Sequence, residues 1–263
     1  MNVYAIVDGD YDNPVNTVFT GSGSHVICTL EPGAHTIRLF KATEPSRGTM
    51  KINSISFNGK LYQKPLSQNL SIEVYGDSIT SGASLYKAAD QPDQFISQDG
   101  YLSYGNIVAN ALDAEVSIIS RSGASVCTGS NKIQDFCYRE DYNDAQSEWD
   151  YTSHQADVIV IGLGTNDTPF YTDDEQRVQL KNGVKDLLAN MRAKNPDAKI
   201  VFVYGMMDTR NPEVYQNAVT EMNDANMYFK MLPRNADGEG GHPTPEGHQA
   251  AAEVLLDLLE AII

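Results

Sequence analysis

Cysteine, tryptophan, basic side chains and long apolar runs are all scarce in this sequence. The three cysteines, Cys28, Cys127 and Cys137, are an odd number and too few to staple 263 residues together. Cys127 and Cys137 stand close enough to pair, but spacing alone makes no bond, and idle thiols are the expectation. No Cys/His spacing resembles a metal site. Lysine and arginine number 19 against 35 acidic residues, a formal net charge of -16. That balance argues against a nucleic-acid or anionic-membrane partner and suits a neutral substrate. No stretch approaches the ~18 consecutive apolar residues of a membrane-spanning helix. The start, Met-Asn-Val-Tyr-Ala-Ile-Val-Asp, has neither the basic residues nor the apolar core of a signal peptide. A cytoplasmic location is the expectation, with secretion the alternative if the natural N-terminus is longer.

What is present is a chain able to fold. Apolar residues make up 41% and charged residues 21%, a globular rather than a disordered balance. The length suits one main domain with a smaller module, and the sequence pattern changes character near residue 68. Residues 1–68 read as β structure, with short runs at Val3–Val7, Asn16–Thr20, Ser24–Leu30, His35–Lys41 and Lys51–Asn58. Turn clusters such as Gly-Ser-Gly-Ser and Glu-Pro-Gly separate them, which predicts a small jelly-roll-like sandwich or part of one. The polar segment Tyr62–Asn69 reads as a linker. Val3, Ala5 and Val7 alternate in a first strand that no earlier strand precedes. An open edge there predicts cover by the catalytic domain or by a second copy, a homodimer.

Residues 69–263 alternate between strands and helices, the signature of an α/β fold with a parallel sheet covered on both faces. Strands are predicted at Leu70–Tyr75, Glu115–Ile119, Asp157–Ile161, Lys199–Tyr204 and Met227–Leu232. Helices are predicted at Tyr101–Leu112, Asp173–Lys194, Pro212–Asn223 and Pro245–Ile263. Five such strands give a flavodoxin-like three-layer domain, whose functional groups gather beyond the carboxyl ends of the strands.

Four features fall at that rim: Gly76-Asp77-Ser78, Ser120-Arg-Ser-Gly123, Gly164-Thr-Asn166-Asp167 and Asp237-Gly-Glu239-Gly-Gly-His242-Pro243. A serine at a strand-to-helix turn stands clear of the sheet, and its N–H points where negative charge is favoured. It becomes a useful nucleophile only with a base to take its proton. Each feature alone has an ordinary structural explanation; all four at one rim are far more specific.

Together these blocks resemble the SGNH (GDSL-type) hydrolases, with a Gly-Asp-Ser turn, a glycine after the second strand, a Gly-x-Asn-Asp turn and an Asp-x-x-His-Pro end. Residues 70–263 carry that likeness. Pro32-Gly-Ala-His-Thr-Ile-Arg-Leu-Phe-Lys-Ala-Thr-Glu44 and Tyr75-Gly-Asp-Ser-Ile-Thr-Ser-Gly82 are similar to carbohydrate esterase family two, deacetylases with a β-sandwich ahead of the catalytic domain. The resemblance implies Ser78 as nucleophile and His242 as general base. It implies the Ser78 and Gly123 N–H groups and the Asn166 side chain as oxyanion donors. Glu239 stands where the family has aspartate and is the first choice to orient His242. Asp237 lies nearby, and a main-chain carbonyl is an alternative orienting group. Asp77, Trp149 and Asp167 are assigned to substrate binding, while His248 reads as structural. Gly241 occupies a place where the family often has tryptophan.

The activity so implied is a serine esterase removing acetyl groups from xylan- or mannan-type carbohydrate, with no cofactor or metal. A short-chain lysophospholipase or thioesterase, and a catalytically silent carbohydrate-binding protein, are the alternatives. The expected partner is an acetylated oligosaccharide or polysaccharide.

Overall fold

The computed structural model describes residues 1–61, 70–86 and 98–263. The segment read as a linker, residues 62–69, lies outside the described residues, and with it the boundary expected between residues 68 and 69.

Five parallel strands form the main sheet: β4 (Ser71–Gly76), β5 (Glu115–Ser120), β6 (Val158–Gly162), β7 (Lys199–Gly205) and β8 (Met227–Leu232). Their order is β5-β4-β6-β7-β8, so the chain steps outward from β4 to β5 and then reverses across the sheet. That is the flavodoxin-like order, and its crevice opens where the direction switches, beside β4. Strands β4, β6 and β7 are buried almost throughout because helices cover both of their faces. On one face pack α2 (Asp174–Lys194) and α3 (Pro212–Glu221), through Leu180, Val184, Leu187 and Leu188 of α2 and Tyr215 and Ala218 of α3. On the other pack α1 (Tyr104–Ala111) and α4 (Pro245–Ile262), through Val108, Ala252, Leu255 and Leu259.

The helix starts follow local chemistry. Asp173 caps α2 by accepting the Gln176 N–H, and the Gln176 side chain returns the bond to the Asp173 main chain. Thr244 caps α4 from just beyond the His-Pro turn, accepting the Gly247 N–H.

The N-terminal segment forms one three-stranded antiparallel sheet from β1 (Asn2–Val7), β2 (Val15–Val18) and β3 (Ile37–Lys41), in the order β2-β1-β3. Two expectations are corrected here. Ser24–Leu30 and Lys51–Asn58 are not strands; Val26 and Ile55 are 79% and 69% exposed, and among the described residues no strand pairs with either segment. Nor is β1 an open edge. It is the middle strand, hydrogen-bonded on both sides by chain that follows it in sequence.

This sheet joins the main sheet's side of the chain through aromatic packing. Tyr4 of β1 stacks on Tyr101, ring centroids 4.5 Å apart, and Phe40 of β3 meets Tyr101 edge-on at 5.6 Å. The Tyr4 hydroxyl donates to buried Asp99, and the Gly100 N–H donates to the Ala42 carbonyl at 2.7 Å. All three cysteines are free, and burial pushes the Cys127 thiol up to about 11 and the Cys137 thiol up to about 12.

Candidate active site

Strand β4 ends at Gly76 and the chain turns at once through Asp77 and Ser78. The Asp77 carboxylate accepts the Ile79 N–H at 2.9 Å, which tightens the turn and leaves Ser78 facing outward. Opposite it, a single 3-10 turn at Glu239–Gly241 delivers His242. Gly240 and Gly241 have φ of 63° and 78°, and two successive left-handed residues are a conformation that side chains resist. The pair of glycines folds the chain back so that the Glu239 carbonyl meets the histidine ring.

The ring is held at both nitrogens. His242 Nε2 lies 2.9 Å from Ser78 Oγ, and His242 Nδ1 lies 3.1 Å from the main-chain oxygen of Glu239. A carbonyl oxygen only accepts, so Nδ1 carries the proton and Nε2 is left as the acceptor facing the serine hydroxyl. Glu239 therefore meets His242 through its main chain and not its carboxylate, which corrects the first choice made from the sequence. Its spacing to the histidine suits a tight turn that brings a carbonyl, rather than a side chain, against the ring.

A cleft of about 370 Å³ opens over this pair, lined by Ser78, Gly123, Asn166 and His242. Among the described residues, the Ser78 and Gly123 N–H groups make no hydrogen bond. Gly123 sits at φ 78°, in the left-handed region again. Asn166 donates to the Ala124 carbonyl at 2.8 Å and makes a longer contact of 3.3 Å with Asp77. One N–H is thus committed to the loop that carries Gly123, and the second is only weakly engaged.

The three residues assigned to substrate binding are placed otherwise. Asp77 is 1% exposed and Asp167 is fully buried, so neither offers a carboxylate to a ligand. Burial pushes Asp77 up to about 7, against the Ile79 N–H, and the charge of Asp167 adds to the rise. Asp167 instead accepts the N–H groups of Val126, Cys127 and Thr128, at 2.8, 2.8 and 3.0 Å. It anchors the loop after β5. Trp149 packs beside His154, ring centroids 5.0 Å apart, and does not line the cleft. His248 is fully buried and accepts the Tyr104 N–H at Nδ1, and burial pushes its pKa down to about 3, which suits a structural part.

Sequence reasoning missed what the N-terminal segment contributes. Arg47 lines the cleft, and Glu44 accepts the Ser122 N–H beside Gly123. The signal for Glu44 lay in Thr43-Glu44, two polar residues just beyond β3 at the end of the stretch that resembles family two.

The profile of the GDSL-like lipase/acylhydrolase family matches residues 74–250. This chain belongs to that family. It is 30% identical over 272 residues to a cellulase/esterase of Acetivibrio thermocellus, an alignment covering 95% of this chain and 33% of that protein. It thus spans about a third of that relative's length. It is 23% identical over 245 residues to an acetylxylan esterase/glucomannan deacetylase of Cellvibrio japonicus, covering 88% of this chain and 68% of that protein. Among solved structures it resembles a family two carbohydrate esterase from Clostridium thermocellum in complex with cellohexaose, with a TM-score of 0.86 and 28% identity. That likeness covers 99% of this chain and 85% of the other, so it includes the N-terminal sheet as well as the catalytic one.

Proposed function

We propose that this acylhydrolase is a serine esterase that removes acetyl groups from acetylated carbohydrate, through an acyl intermediate on Ser78. One observation carries the reading: the 2.9 Å contact from Ser78 Oγ to His242 Nε2, with the Glu239 carbonyl fixing the ring's proton on Nδ1. In the first step Ser78 Oγ bonds to the ester carbonyl carbon as its proton passes to Nε2. The carbonyl electrons move onto oxygen, and the Ser78 N–H, the Gly123 N–H and the Asn166 amide meet the resulting alkoxide. Such donors are worth more where water is excluded, and each typically contributes roughly 10²- to 10³-fold in rate. Collapse breaks the bond to the sugar oxygen, which leaves with the proton held on His242. Water then repeats the sequence on the acyl-serine and releases the acid.

The substrate class rests on the relatives. The cellulase/esterase, the acetylxylan esterase and the cellohexaose-bound family two esterase all point toward polysaccharide. Acetate release from acetylated xylan and glucomannan oligosaccharides should exceed, in kcat/KM, the hydrolysis of long-chain acyl esters and acyl thioesters. Faster cleavage of the long-chain substrates would overturn the choice of acetylated sugar.

A further inference from the structure

Glu44 comes from outside the catalytic sheet yet sits against its most sensitive loop. It follows β3 by three residues and is only 8% exposed. Lys41 binds the main-chain carbonyls of Thr43 and Glu44, not the carboxylate. The carboxylate is satisfied instead by two donors from the rim and by its near neighbour Ser46. Its Oε2 accepts the Ser122 N–H at 2.6 Å and lies 3.3 Å from the Ser81 hydroxyl, while Oε1 accepts the Ser46 hydroxyl. The Ser81 hydroxyl also lies 2.9 Å from that of Ser120, at the end of β5. Burial alone would raise the Glu44 pKa; the bonds from Ser46, Ser122 and Ser81 outweigh it and hold the carboxyl below its ordinary value. An anion is thus kept ionised beside the loop that carries Gly123.

The placement needs a reason, because a negative charge near a developing alkoxide is unfavourable. Position supplies one. Ser122 immediately precedes Gly123, and the carbonyl carbon of Ser122 bears the Gly123 N–H. On the far side of Gly123, Asp167 holds the N–H groups of Val126, Cys127 and Thr128. The loop is therefore clamped by one buried carboxylate before the glycine and by another after it. A left-handed glycine between two clamps has its N–H direction fixed before any substrate arrives.

We propose that Glu44 is a positioning residue of the oxyanion site, supplied by the N-terminal sheet to aim the Gly123 N–H at the alkoxide. The proposal rests on the esterase reading above. What matters is the acceptor at Ser122, not the charge, so the neutral isostere should serve. Glu44→Gln should stay within about threefold of the wild type in kcat and KM. Glu44→Ala, which leaves the Ser122 N–H without its partner, should lose about 10- to 100-fold in kcat with KM within about threefold, as expected for a contact felt only in the transition state. Glu44→Asp keeps the charge but withdraws the acceptor by one methylene, and should lose about tenfold. It also serves if the alanine variant folds poorly.

The deciding readout is inhibition by a small alkyl boronic acid, whose tetrahedral serine adduct presents an oxygen to the same donors. Its affinity should fall in parallel with kcat in Glu44→Ala and Glu44→Asp and hold in Glu44→Gln. A wild-type kcat in Glu44→Asp would overturn the assignment. So would a kcat loss with boronate affinity unchanged, or a glutamine variant as impaired as the alanine one. A wild-type protein that cleaves no ester, like its Ser78→Ala variant, would instead sink the esterase reading beneath it.

Discussion

Strands β4, β6 and β7 are sealed by helices on both faces, whereas β2 and β3 of the N-terminal sheet leave Val15, Val18 and Ile37 open to solvent. The same contrast extends through residues 20–36 and 48–61, where irregular chain exposes Val26, Ile52, Ile55 and Phe57. Both regions nevertheless reach the active site. The parallel sheet and its loops supply the hydrogen-bonded Ser78–His242 pair, and the N-terminal segment supplies Glu44 and Arg47 from the side. The difference teaches that a deep core holds the pair to which the proposed function gives the chemistry. A thin one suffices to set Glu44 against the loop before Gly123.

The largest effect expected of that contrast is catalytic. Ser78→Ala and His242→Ala should each lower kcat by roughly 10⁴-fold or more, and the double variant should lose little further, because the two act as a unit. Thermal unfolding should barely move, since both side chains line the cleft rather than pack between sheet and helices. Full additivity of the two losses would break the pairing.

Next in size is stability. Leu187 is fully buried on α2 against the sheet, and Leu187→Ala should cost about 2–5 kcal/mol by denaturant unfolding. Ile55, 69% exposed, should change stability by no more than about 0.5 kcal/mol when made serine. A comparable loss at both positions would mean that the N-terminal segment buries more in solution than its described surface indicates.

These two regions also differ in how far the sequence foretold them. In the parallel sheet all five strands fall within a residue or two of their expected limits, and Met227–Leu232 matches at both ends. Continuous apolar runs bounded by glycine have one stable solution when helices follow each strand. The rim motifs then come together because parallel strands all end on the same side. In the first 61 residues the short β-forming runs between turn clusters that foretold β1 and β3 also suggested strands at Ser24–Leu30 and Lys51–Asn58. Neither composition nor alternation says what neighbours a strand has, and among the described residues these two segments have none. The order β2-β1-β3 was equally hidden, since pairing to later chain leaves no mark on the first strand. At the site, the sequence reached Ser78, Gly123, Asn166 and His242, which the structure gathers around one cleft. It misassigned Asp77 and Asp167, because carboxylates beside a motif look alike whether they face a ligand or a buried amide.

The smallest expected effect concerns the third member of the site. Because the Glu239 main chain meets His242 Nδ1, Glu239→Gln should lower kcat by less than about tenfold, against the roughly 10⁴-fold seen when an orienting carboxylate is neutralised. A loss of several orders of magnitude would restore the carboxylate to the role first expected of it.

The central claim is that acyl transfer passes through Ser78. The most direct test is rapid acid quenching during turnover of an activated acetyl ester, followed by mass spectrometry of the peptides. The account predicts one acetyl group on the peptide containing Ser78 in the wild type and none there in Ser78→Ala. A turning-over enzyme with Ser78 unmodified and the acetyl group on another residue would contradict it.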